Sequence, residues 1–69
     1  MYLRMRQERK RREWSQEFVA RQIGVTPETV HYIETGQRKP SYDVLVKLED
    51  LFQMGHRELF GVATPDKQD

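Results

Sequence analysis

Apolar residues recur along this chain at intervals of three and four, and no segment alternates apolar and polar with period two. Such spacing predicts helices and no strands, because 3.6 residues per turn bring those positions onto one face. Residues 2–12 read as a weakly amphipathic helix with Met1 and Met5 on one face, extended by the stems of Arg9 and Arg12. Trp14 follows as a large apolar anchor. In "WSQEFVARQIG", Ser15 is a good helix cap, Glu17 and Phe18 lie in the first turn, and Val19, Ala20 and Ile23 form a buried stripe. Gly24 can take the positive φ that ends a helix, and Val25 plugs the turn.

Thr26 caps the next helix with Pro27 at its first position, where a missing N–H is harmless. Val30 and Ile33 are its inward residues, and it ends at Thr35-Gly36. "QRKP" is a loop closed by Pro40. Ser41 caps a longer helix whose apolar positions are Tyr42, Leu45, Leu48, Leu51 and Phe52. Met54 and Gly55 make another turn, and "HRELFG" is a short last helix with Leu59 and Phe60 closing the core. The fold class is all-α with five short helices.

At 69 residues the chain is one small domain, near the size at which a single core is only marginally sufficient. It has no cysteine, so no disulfide or thiolate–metal site can reinforce it, and a reducing cytoplasm is the natural setting. No apolar run approaches the roughly 20 residues of a membrane span, and the N-terminus lacks a signal-peptide core. So short a chain encloses a catalytic pocket with difficulty, which favours a binding module over an enzyme.

The formal net charge of +1 conceals a division. Residues 1–14 carry six basic and two acidic side chains, a net +4; residues 15–40 carry three of each; residues 41–69 carry three basic and six acidic, a net −3. One basic end and one acidic end point to a polyanion on one side, although an ordinary solvated Arg/Glu helix would give the same count.

Two short helices joined by a tight glycine turn make a helix-turn-helix unit. Its residues are specific in combination: "SQ" at 15–16, Val19-Ala20, "IGV" at 23–25, Ile33-Glu34 with Gly36, "RKPS" at 38–41 and "ELF" at 58–60. With these the chain resembles the lambda-repressor/Cro-like helix-turn-helix proteins, also called the xenobiotic-response-element family, over about residues 3–60. The resemblance implies a compact five-helix lambda-repressor-like DNA-binding domain, residues 1–61, followed by a polar tail, residues 62–69, too short to add a sensing domain. It implies double-stranded DNA as the partner, a homodimer on a pseudo-palindromic operator, a transcriptional repressor as the function and a bacterial, phage or mobile-element origin.

Position by position, the resemblance makes Gln16 a phosphate contact, with Thr35, Gln37, Arg38 and Lys39 as the clamp on the DNA backbone. The helix from Pro27 would lie in the major groove. Pro27, Glu28, Thr29 and Tyr32 take its outward positions, with His31 nearby. Arg9 and Glu34 match a pair tying the first helix to the end of that recognition helix. The chain departs from the family pattern at Phe18, Glu49 and His56.

Each assignment has a plainer rival. Glu28 either accepts from cytosine N4 or only complements the helix dipole. Thr29 either meets a thymine methyl or is merely exposed, and His31 is an ordinary partly exposed residue or a phosphate contact. Tyr32 has no packing reason to be on that face, which favours a contact. Phe18 is a satellite of the core or a partner contact. An enzyme would have to pair His31 with Glu28 or Glu34, and nothing completes a nucleophilic or metal site around them, so no catalytic residue, cofactor or metal is expected. The alternative from another class is a protein-interaction module, antitoxin-like or anti-repressor, whose ligand is a protein; a protein partner controlling activity fits either reading.

Overall fold

The computed structural model describes residues 2–62. Among them are five helices: α1 (Arg4–Arg11), α2 (Gln16–Ile23), α3 (Pro27–Glu34), α4 (Tyr42–Phe52) and α5 (His56–Leu59). The caps are those predicted. Oγ of Ser15 accepts from Phe18 N, Oγ1 of Thr26 from Thr29 N, and Oγ of Ser41 from Val44 N. Each satisfies a first-turn N–H that has no partner inside its helix.

The core is built where the turns bring the stripes together. Val19, Ala20 and Ile23 of α2 meet Val30 and Ile33 of α3, and Met5, Leu48, Phe52 and Leu59 close over them from α1, α4 and α5. Burying each of the larger side chains stabilises the fold by about 1.5–3 kcal/mol. Phe18 belongs to this assembly. Its ring lies 5.2 Å from that of Trp14, which stands edge-on to Phe52 at 5.3 Å, so the aromatic left over in the sequence packs as a satellite of the core.

Three expectations change. Tyr42 is 77% exposed and takes no part in the core. The buried line of α4 runs through Val44, Leu48 and Phe52 at intervals of four, and Tyr42, two residues before Val44, falls on the opposite side. Secondly, α1 begins at Arg4, later than the predicted residue 2, because the backbone at Leu3 is engaged elsewhere. Leu3 N donates to Glu34 O at 2.8 Å, Arg4 N donates to Gly61 O at 2.7 Å, and Leu3 forms an isolated antiparallel bridge with Val62. Val62, placed in the polar tail, is therefore paired with the start of the chain; Met1 and residues 63–69 lie outside the described residues.

The third change concerns charge. The basic end is in large part occupied within the molecule. Arg4, Arg11 and Arg12 surround the buried carboxylate of Glu8, with Arg12 Nη1 at 2.8 Å. Burial pushes the Glu8 carboxyl up, but the Arg12 hydrogen bond and the Arg11 and Arg4 guanidinium groups outweigh it and hold the pKa below the ordinary value. Arg12 also donates to Phe52 O, and Arg6 lies over the Tyr2 ring at 3.9 Å. Residues 1–14 thus form less of an open basic face than their count implied.

Candidate nucleic-acid interface

The turn between α2 and α3 sets the angle of the pair. Gly24 adopts φ 76°, and its N–H and that of Val25 both close on Ala20 O. With Gly24 in the left-handed region the chain reverses within three residues, and Thr26 and Pro27 restart it as α3.

Of the eight residues of α3, Val30, Ile33 and Glu34 are buried. Pro27 and Glu28 are exposed, while Thr29, His31 and Tyr32 are half-buried and share the rest of the outward surface. The His31 and Tyr32 rings lie 5.6 Å apart at 59°. Thr29 is more constrained than its neighbours, because its hydroxyl is 2.9 Å from that of Thr26. Glu28 therefore presents the most open polar group of this face.

The loop after α3 is fastened to the same helix. The carbonyl oxygen of Tyr32 accepts from Gln37 N at 2.9 Å, from Arg38 N at 3.2 Å and from the Thr35 hydroxyl at 3.2 Å. Gly36, at φ 79°, makes the bend that lets the chain fold back onto that carbonyl. Gln37, Arg38 and Lys39 are exposed on the resulting loop. A groove between this loop and the start of α3 has Thr26, Thr29, Arg38, Lys39 and Ser41 among its walls, so Thr29 and the two cations share one concave surface. The cap residues Thr26 and Ser41 belong to it as well.

Gln16 occupies the first turn of α2, where exposed N–H groups and the helix dipole favour an anion. Its side chain also reaches inward: Nε2 donates to Glu34 Oε1 at 3.1 Å. Glu34 is fully buried and takes Arg9 Nε on Oε2 at 2.6 Å and Arg9 Nη2 on Oε1 at 3.2 Å, a two-pronged pairing. Arg9 Nη1 donates to Trp14 O at 2.8 Å. The predicted Arg9–Glu34 tie is thus present, and it extends at one end to Gln16 and at the other to the residue before the α2 cap. Both oxygens of Glu34 are thus taken by Arg9 and Gln16, and the carboxylate has no exposure. Among the described residues no group of three or more His, Cys, Asp or Glu side chains is placed to hold a metal ion, and no helix is long and apolar enough to cross a membrane.

A tight α2–α3 pair on a small five-helix core, with an outward α3 face beside a cationic loop, defines a helix-turn-helix module. A helix-turn-helix family model matches residues 5–59. The chain belongs to this family, of the Cro/C1 type, a class of DNA-binding transcription regulators. It is 36% identical over 58 residues to the HTH-type transcriptional regulator AnsR of Bacillus subtilis (strain 168), a match covering 84% of this chain and 50% of that protein. The chain thus spans about half the length of that relative. Its fold is similar to the crystal structure of the restriction-modification controller protein C.AhdI from Aeromonas hydrophila, with TM-score 0.71 and 35% identity, covering 83% of this chain and 86% of that one.

Proposed function

We propose that the protein is a cytoplasmic, sequence-specific transcriptional repressor that lays α3 in the major groove of a pseudo-palindromic operator. The observation that carries this reading is the fastening of the Arg38-Lys39 loop to the Tyr32 carbonyl. It makes the surface that reads bases and the surface that grips phosphates a single rigid piece, so the clamp fixes the register in which α3 reads. Glu28 accepts from cytosine N4, and Tyr32, with Pro27, Thr29 and His31 around it, supplies contacts to neighbouring base edges. Gln16, Thr35, Gln37, Arg38 and Lys39 hold the flanking backbone.

One module of this kind covers about 600–1,000 Å² on DNA, a small interface for a specific operator. A homodimer doubles it and places two recognition helices roughly one helical turn apart. The exposed pair Tyr42 and Val46, one turn apart on α4, supports a second copy as the occupant of that face.

Selection from random duplexes tests the reading directly, since an enriched motif with two-fold symmetry reports both binding and dimer. On the selected duplex, Arg38→Ala with Lys39→Ala should weaken binding to all sequences about equally and reduce the salt slope of the homodimer by about 3.6, at roughly 0.9 per phosphate contact and two contacts in each protomer. Glu28→Ala or Tyr32→Ala should instead change the preferred motif. If both sets left DNA binding unchanged in folded protein, the reading would be lost. A stoichiometric protein partner with no enriched motif would favour an antitoxin-like or anti-repressor module instead.

A further inference from the structure

Gln16 stands between two environments. Its side chain is half-buried at the start of α2, and its inward neighbour is a carboxylate with no exposure. A carboxylate only accepts, so the amide must turn its NH₂ end, not its oxygen, toward Glu34. The group has two N–H donors in a fixed planar arrangement. Once one is held by Glu34 Oε1 at 3.1 Å, the plane is set and the second donor points in a defined direction.

Arg9 completes the device. Its guanidinium takes both oxygens of Glu34 and ends on Trp14 O, one residue before the Ser15 cap. The carboxylate would repel an anion approaching the start of α2 if it stood alone. Paired with Arg9 it presents no net charge there, yet still orients the amide.

We propose that Glu34, set in place by Arg9, is the positioning residue for Gln16, and that a DNA backbone phosphate is the outward ligand of the same amide. This rests on the DNA-binding reading above and adds a mechanical link to it. The end of the recognition helix dictates the phosphate contact at the start of α2, so the position of α3 in the groove and the grip on the backbone are coupled through one side chain.

The test uses the full chain and the selected duplex. Gln16→Ala should weaken binding about fivefold per half-site, the equivalent of one hydrogen bond. Arg9→Met with Glu34→Leu replaces the buried pair by apolar side chains of similar size, a change that buried pairs commonly tolerate. This double variant should lose the same fivefold, and Gln16→Ala on top of it should cost nothing further. A methylphosphonate at the phosphate facing α2 should weaken the wild type about fivefold and leave the double variant unchanged, a readout that a merely structural role would not produce. Wild-type binding by the double variant, or multiplicative losses in the triple variant, would overturn the inference.

Should the double variant fail to fold, the wild type still decides the matter by amide NMR. Adding duplex should shift one side-chain proton of Gln16 and leave the Glu34-bound one in place; movement of both, or of neither, overturns the coupling. A wild type that binds no duplex at all would instead remove the DNA-binding reading beneath it.

Discussion

A carboxylate without water must be answered entirely inside the protein, and Glu34 is answered by Arg9 and Gln16. Removing one member of such a pair leaves the other charge buried and unpaired, which costs about 3 kcal/mol. Glu34→Gln should therefore lower the melting temperature by at least roughly 12 °C in a domain of this size. An unchanged melting curve would mean that the pair contributes geometry and no stability. At this scale the sequence was only partly legible. The Arg9–Glu34 tie could be inferred from resemblance, whereas the link to Gln16, 18 residues away, depends on how α2 crosses the end of α3. Tyr42 misled because three- and four-residue spacings can be threaded through either side of a helix start, and only the positions of α2 and α5 decide which line is inward.

The helix beginnings at Ser15, Thr26 and Ser41 were readable because their caps act through local hydrogen bonds. The ends of α1 and α4 were less so, since the left-handed residues there are Glu13 at φ 60° and Gln53 at φ 56°, neither a glycine. The start of α5 has another unannounced device. Gly55 offers no capping side chain, and Glu49 of α4 replaces it, its Oε2 accepting from both the His56 N–H and the ring Nδ1 at 2.8 Å. Two of the three residues that depart from the family pattern, Glu49 and His56, are therefore partners.

The His56 ring, followed by the His56 backbone N–H, holds the Glu49 carboxyl below its ordinary value of 4.5. A depressed folded-state pKa means that this contact contributes above the unfolded value and is lost as pH falls through the folded one. Glu49→Ala should accordingly speed hydrogen exchange over residues 56–60 at neutral pH. Wild type and variant should converge once the pH drops well below 4.5. Equal exchange at neutral pH would show that α5 is held by Leu59 packing alone.

For the whole molecule, the all-α architecture and the helix-turn-helix at its centre were legible because period and turn chemistry agree along the entire chain. The charge distribution was not, because a net count does not say which cations face Glu8 and which face solvent. The same holds for association. Tyr42 was assigned to the core by its spacing, and its exposure is what the proposed homodimer rests on. For the homodimer proposed above, Tyr42→Glu should leave only monomer in light scattering and weaken operator binding while keeping the helix content intact. A protein of unchanged mass would place the dimer contact elsewhere or remove it.

The stitch at Leu3 carries a consequence for leverage. This one residue is bonded through its N–H to the last carbonyl of α3 and bridged to Val62, while its neighbour Arg4 is bonded to Gly61. Residues 3 and 62, far apart in sequence, thus meet at one edge. A load applied at that edge bears first on the end of α3, through a single peptide group and over no intervening side chain.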